Sequence, residues 1–125
     1  MFHAKAEQNL HIGLFSEKLS SSYHRAFYEI VIGGGWGSKE VYIRTGGMCC
    51  RKQVTAYNTT IMDPTEFLPF WVSWTDNIIA VGNGEIVGED MLSWYNASAF
   101  PMAVNFIAIS SYQSVVLDFK YFNGE

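Results

Sequence analysis

The sequence contains little cysteine, little proline and little charge. Of its 125 residues, two are cysteine, three are proline and 16% are charged. The two cysteines are adjacent, Cys49-Cys50, and neighbouring Cα atoms lie only about 3.8 Å apart, too close for an ordinary disulfide. They are therefore free thiols, a strained vicinal ring or a link to another chain, and free thiols, which suit a reducing compartment, are favoured.

Long apolar runs and basic clusters are also missing. No stretch approaches the about 20 apolar residues of a membrane-spanning helix, and no signal peptide is recognisable. We therefore expect no membrane span, and a cytoplasmic protein, or an extracellular one if a leader was removed. The net charge of −4, with Arg51-Lys52 as the one short basic cluster, excludes nucleic acid as an expected partner.

Aromatic residues are abundant, at 16% of the chain, and many lie in short alternating segments. Alternation over 70–74, turn residues at 75–77 and β-branched residues at 78–81 predict a β-hairpin. Trp71 and Trp74 lie inside its first strand, so we expect both to belong to the core.

Similar segments recur along the whole chain, and no sustained helical periodicity separates them. This pattern predicts one all-β domain over residues 1–125, an antiparallel β-sandwich or jelly roll of about nine or ten strands. The expected strands cover 2–6, 11–15, 26–32, 39–44, 54–57, 66–74, 78–81, 91–94, 102–110 and 114–122.

The glycine-rich segment 33–37 is the one motif that suggests nucleotide binding. A phosphate-binding loop must be followed by a helix, but the residues after it, 39–44, read as a strand, so the motif lacks its required context. A glycine-rich turn is the simpler interpretation. The functional one is that the glycines hold Trp36 out as an exposed platform for a ligand.

No residue pattern predicts catalysis or metal binding. The three histidines, at positions 3, 11 and 24, lack the spacing of zinc ligands. Loop carboxylates near 76–90 match no EF-hand, and no serine lies in a G-x-S-x-G elbow. We therefore expect no catalytic residues, metal or cofactor, and favour a protein that is not an enzyme.

An all-β scaffold with aromatic and polar residues on its loops is typical of carbohydrate recognition. Aromatic rings stack on the apolar face of a sugar, and a few polar groups bond its hydroxyls. Single contacts of this kind are weak, so we also expect a homo-oligomer that gains avidity. The candidate residues for binding a glycan or other small polar ligand are Trp36, Lys39, Arg44, Asp76, Asn77, Tyr95, Asn96 and Tyr112.

Several segments together resemble one family. They are HIGL at 11–14, YEIVIGG at 28–34 followed by Trp36-Gly37, Lys39 and Arg44, FWVSW with DN and VG over 70–82, and LSW with PMAVNFIAIS over 92–110. In this order they are similar to the invertebrate domain named for farnesoic acid O-methyltransferase. The resemblance covers most of the chain, from about residue 2 to residue 119.

The family name implies methyl transfer from S-adenosylmethionine to farnesoic acid. The usual fold for that reaction is a Rossmann-like parallel sheet with helices, and the sequence predicts neither. A lectin-like recognition module is therefore the leading hypothesis. The alternatives are the O-methyltransferase and a structural module that self-associates.

Overall fold

A computed structural model describes residues 1–15, 27–34, 39–45, 52–56, 61–98, 104–111 and 117–121. In these residues every regular element is a strand, which confirms the all-β prediction. The strands are β1 (Phe2–Ala6), β2 (Leu10–Phe15), β3 (Phe27–Gly34), β4 (Glu40–Thr45), β5 (Lys52–Ala56), β6 (Leu68–Thr75), β7 (Ile78–Asn83), β8 (Met91–Asn96), β9 (Phe106–Ser111) and β10 (Leu117–Tyr121).

The strands form two five-stranded sheets. The first sheet has the order β10-β1-β6-β7-β8, and the second has the order β5-β4-β3-β2-β9. All strand pairs described are antiparallel. Each sheet contains one run of sequential hairpin neighbours, β6-β7-β8 in the first and β2-β3-β4-β5 in the second.

Alternating side chains from both sheets fill one core. The burial pattern of β1 alternates residue by residue, as a strand with one covered face requires. Each Leu, Ile or Phe taken fully out of water contributes roughly 1.5–3 kcal/mol. Members of this shared core from both sheets include Phe2, Leu10, Leu14, Ile30, Ile32, Ile43, Phe70 and Val81, so the two sheets pack face to face.

A bulge at Gly33 sets the register between β3 and β4. The pairing shifts by one residue there, and Gly33 has a φ of 74°, a left-handed conformation that glycine adopts without a Cβ clash. Because of this shift Glu29 lies directly opposite Arg44. The register beyond the bulge would have placed Glu29 opposite Thr45.

The two tryptophans of β6 differ in burial. Trp71 is fully buried, as expected, although it lies on the outer face of the first sheet, where it covers Gly82. Its Nε1 donates a hydrogen bond of 2.7 Å to the carbonyl of Glu89, so the loop over residues 84–90 closes over the ring. The expectation that Trp74 is core is wrong: its side chain is 41% exposed, because β6 leaves the core at its end.

Two strand ends also differ from the expectation. The strand expected over 78–81 is longer, because Gly82 and Asn83 belong to β7 and pair with Trp71 and Phe70. The strand expected over 91–94 is also longer, because Tyr95 belongs to β8 and pairs with Ile79. Within the residues described, no helix has the length and apolarity needed to cross a membrane.

Candidate functional site

The β6–β7 hairpin ends in a two-residue turn made of Asp76 and Asn77. Their φ angles are 55° and 61°, the left-handed region that Asp and Asn tolerate better than other non-glycine residues. Both residues are exposed. Within the described part of the chain neither side chain makes a hydrogen bond, so the turn presents a carboxylate and an amide to solvent.

Trp74 lies immediately before this turn. It shares the inner face of β6 with Phe70 and Val72 but extends past the covered part of the core. Trp74 and Asn77 line a small cavity of about 30 Å³, together with Tyr28, Ile78, Ile79, Ala97 and Val104. A large exposed ring therefore stands next to the polar groups of the turn.

The end of β8 completes this region. Asn96 pairs with Ile78, and the amide of Ala97 donates a hydrogen bond of 2.7 Å to the carbonyl of Asn77. The Oδ1 of Asn96 accepts a hydrogen bond of 3.0 Å from the amide of Ser98, which fixes its side chain in an Asx turn. We call the residues Trp74, Asp76, Asn77 and Asn96 the tip site.

Two tyrosines lie on the core side of the tip site. The rings of Tyr28 and Tyr95 are 5.8 Å apart and tilted by 51°, and Tyr95 is half-buried against the core. Burial, followed by the neighbouring Tyr95, raises the pKa of Tyr28. Tyr28 therefore remains a neutral hydroxyl at physiological pH.

Trp74 also lines a second cavity, which is mostly apolar. It measures about 60 Å³ and opens between the two sheets. We call it the apolar cleft. Its lining comes from both sheets and consists of Met1, Phe2, Ile12, Leu14, Val72, Trp74, Ile107 and Ile109.

Arg44 lies elsewhere, on the outer face of the second sheet. Its guanidinium donates to Oε1 of Glu29 and lies 5.6 Å from the centre of the Tyr42 ring, within cation–π range. The other oxygen of Glu29 is 3.2 Å from Nδ1 of His11. These three side chains, His11, Glu29 and Arg44, form a charged cluster that is only 15–25% exposed.

Glu29 is the acceptor at the centre of the charged cluster. Burial opposes its charge, but hydrogen bonds from His11 and Arg44 outweigh that effect and lower the pKa of the Glu29 carboxyl. An ionised carboxylate only accepts, so Nδ1 of His11 carries the hydrogen and Nε2 carries the lone pair when the ring is neutral. Nε2 is buried and has no hydrogen-bond partner.

The predicted binding residues are thus divided among several places. Asp76, Asn77, Tyr95 and Asn96 come together at the hairpin tip. Lys39 lies just before β4, whereas Tyr28 pairs with Thr45 at the other end of that strand. At a rise of about 3.3 Å per residue, Lys39 is about 20 Å from Tyr28 along the second sheet. Trp36 and Tyr112 lie outside the described residues, as do Cys49-Cys50.

Sequence reasoning missed Trp74 and the pairing of His11 with Glu29. The alternation of side chains along β6 does not show where the covering sheet ends. The sequence therefore predicts the same burial for Trp74 as for its buried neighbours. The pairing of Glu29 with Arg44 can be predicted only if the bulge at Gly33 between β3 and β4 is known. Among the described residues no group of three or more His, Cys, Asp or Glu could hold a metal ion.

Comparison with known proteins shows which family the chain belongs to. The family profile described as farnesoic acid O-methyltransferase matches residues 1–125, the whole sequence. The chain belongs to the farnesoic acid O-methyltransferase family. No curated protein and no solved structure matches it significantly.

Membership of the farnesoic acid O-methyltransferase family agrees with the sequence resemblance. Of the segments that carried it, the one over 11–14 supplies His11, the one over 28–34 supplies Glu29, and the one over 70–82 supplies most of the tip site. In this chain these distant segments therefore come together in two separate places, the tip site and the charged cluster.

Proposed function

We propose that this domain is a lectin-like recognition module that binds a carbohydrate at the tip site. The observation that carries the proposal is the 41% exposure of Trp74 beside Asp76 and Asn77. One face of a pyranose presents C–H groups that stack on an indole, and its hydroxyls both donate and accept hydrogen bonds. The tip site offers these partners side by side.

The chemistry of the polar groups fits a neutral ligand with many hydroxyls. The Asp76 carboxylate accepts hydrogen bonds from hydroxyls, and the Asn77 amide both donates and accepts. The carboxylate, and the chain's net charge of −4, disfavour an anionic ligand. The two-layer β-sandwich provides a rigid base, so the turn loses little conformational freedom on binding.

A glycan array probed with the wild-type protein and with Trp74→Ala tests the proposal. Wild type should bind at least one sugar, and Trp74→Ala should bind it roughly tenfold more weakly or worse, because the stacking surface is gone. Circular dichroism of the variant checks that the fold is kept. If wild type binds no sugar on the array in its native oligomeric state, the carbohydrate proposal is wrong.

Two matched variants separate the ligand contacts from the fold. Asn77→Gly removes the amide but keeps a residue that favours the left-handed turn, so it should weaken binding while stability is retained. Trp94→Ala removes another exposed tryptophan, 49% exposed on the opposite face of the first sheet. It should leave the affinity of each site for a monovalent sugar in solution unchanged, whereas any loss of the oligomer would lower only the avidity on the array.

Self-association is a second part of the proposal. An array of weak sites raises apparent affinity by orders of magnitude without new contacts. Exposed apolar side chains at the β8 end of the first sheet offer a surface for it: Ile86, Val87, Met91 and Trp94. Light scattering of the native protein should show an oligomer, and a monomer at binding concentrations would remove this part of the proposal.

Two alternative functions remain testable by direct measurement. Methyl transfer rests on the family description alone. Among the described residues, the two cavities of about 60 and 30 Å³ are each too small for S-adenosylmethionine, since pockets for ligands of that size enclose about 300–1,000 Å³. Saturable heat on titration with S-adenosylmethionine would favour the enzyme.

A purely structural module would instead form an oligomer that Trp94→Ala disrupts, with no sugar bound.

A further inference from the structure

We propose that the apolar cleft is a subsite for the alkyl aglycone of the sugar that the tip site binds. This inference rests on the proposed function. It names the ligand class more closely: a soluble glycoside whose head is neutral and whose aglycone is a short alkyl chain.

The apolar cleft and the tip site share one residue. Trp74 lines both the cavity of the tip site and the apolar cleft. A sugar stacked on the exposed part of this indole would bring its anomeric substituent near the cleft. An unbranched chain attached there would then contact the cleft lining, which includes Val72, Trp74 and Ile107.

The lining of the apolar cleft is mostly hydrocarbon. Its side chains are hydrocarbon or thioether except for the indole N–H of Trp74, and none of these side chains carries a charge. Apolar surface of this kind favours contact with apolar groups over water. Apart from the indole N–H of Trp74, a hydroxyl in the cleft would meet no strong side-chain hydrogen-bond partner, and such a loss is costly. The cleft therefore selects an alkyl group over a second sugar.

The volume of the apolar cleft limits the length of the aglycone. A site for one water needs about 10–15 Å³ of this volume, and the cleft has about 60 Å³, so it holds roughly four methylene groups. That length suits a short aglycone. The chains of a membrane glycolipid are several times longer, so most of their apolar surface would remain in water.

The negative charge of the tip site favours a ligand whose head group is neutral. Asp76 lies in the turn two residues after Trp74, and its carboxylate repels a second carboxylate. A fatty or isoprenoid acid of matching chain length should therefore bind less well than the glycoside. This distinguishes the proposed ligand from a free acid that merely fills the cleft.

The test is isothermal titration with methyl, ethyl, propyl, butyl and hexyl β-glycosides of glucose, galactose, mannose and N-acetylglucosamine. For the sugar that binds, affinity should rise about fourfold per methylene, which corresponds to about 0.8 kcal/mol, and level off after roughly four carbons. Hexanoate should bind at least tenfold more weakly than the hexyl glycoside.

A matched pair of variants on β9 tests whether the cleft causes the dependence of affinity on chain length. Ile107 lines the cleft and Phe106 does not, although both are 43% exposed. Ile107→Trp should fill the cleft and abolish the dependence on chain length while methyl glycoside affinity is kept. Phe106→Trp should retain the dependence.

The outcomes separate the two proposals. A methyl glycoside that binds with no gain on lengthening the chain overturns the subsite and leaves the sugar site standing. Chain-length dependence that survives Ile107→Trp also overturns the subsite. If no glycoside of any length binds, the sugar site itself is wrong. Stronger binding to vesicles of a long-chain glycolipid than to the butyl glycoside would overturn the assignment to a short aglycone.

Discussion

Gly82 lies directly against the indole ring of Trp71 on the neighbouring strand. A Cβ at position 82 would stand 2.1 Å from Cε2 of that ring, far inside van der Waals contact. The ring in turn holds the 84–90 loop through its hydrogen bond to the Glu89 carbonyl. One missing side chain thus allows a tryptophan to lie flat on the outer face of a sheet and anchor a loop there.

Gly82→Ala should destabilise the fold. The ring of Trp71 must move to admit the new methyl group, and overpacking of this kind costs about 1–3 kcal/mol or more. Urea unfolding measures the loss. In a Trp71→Phe background the smaller ring should accommodate part of the methyl group, so the same substitution should cost clearly less. Equal costs in both backgrounds would contradict the proposed contact.

Trp71→Phe should loosen the 84–90 loop selectively. It removes the indole donor and leaves the Glu89 carbonyl without its partner, a loss of about 1 kcal/mol. Amide hydrogen exchange by NMR should quicken at Glu89, which donates to Ile86, and at Asn83, which donates to Asp90. Exchange at the opposite tip, residues 76–77, serves as the internal control. A uniform rise along the chain would indicate global destabilisation instead.

The charged cluster should make stability depend on acid. The folded state lowers the pKa of Glu29 below its ordinary value of 4.5, because hydrogen bonds from His11 and Arg44 outweigh the effect of burial. The stabilisation is therefore complete above the pKa of the unfolded chain and is lost as pH falls through the folded-state pKa. Denaturation midpoints between about pH 7 and pH 3 should fall steeply at the acid end.

Two variants isolate this acid dependence. Glu29→Gln should be less stable than wild type at neutral pH, and its stability should change less at acid pH, since the titrating group is gone. Arg44→Gln keeps the carboxylate but removes a donor, so its acid loss should begin at a higher pH. A Glu29→Gln variant with the full wild-type slope would show that other carboxylates cause the acid loss.

The stability of the protein should depend on whether residue 77, in the turn at the hairpin tip, tolerates a left-handed backbone conformation. Asn77 has a φ of 61°, so Asn77→Gly should maintain stability or raise it by a few tenths of a kcal/mol, up to about 1. Asn77→Val should lower it by roughly 1–2 kcal/mol, because a β-branched residue fits this region poorly. Thermal unfolding compares the two, and a stable valine variant would contradict the turn geometry.

Much of the fold follows from local patterns in the sequence. Alternation over 2–6 and 70–74 predicts strands because each has one covered face, and the Asp76-Asn77 pair predicts the turn between β6 and β7. The family also follows from short segments in order. These are properties that neighbouring residues determine among themselves.

The site depended on features that local patterns do not contain. The burial of Trp74 is decided by how far the facing sheet extends, and the partner of Arg44 is decided by a one-residue bulge at Gly33. Glycines near position 33 looked like part of a loop, yet Gly33 and Gly34 belong to β3. Long-range register, rather than residue type, brings His11 and Glu29 together.

The pairing of β1 with β10 has a consequence for how the domain is combined with others. Phe2 lies opposite Tyr121 in an antiparallel pair, where facing Cα atoms are about 4.5–5.5 Å apart. The chain therefore enters and leaves the sandwich at neighbouring points of the same sheet. Such a unit can be inserted in a surface loop of another domain, or repeated in tandem, with short linkers and little strain on either neighbour.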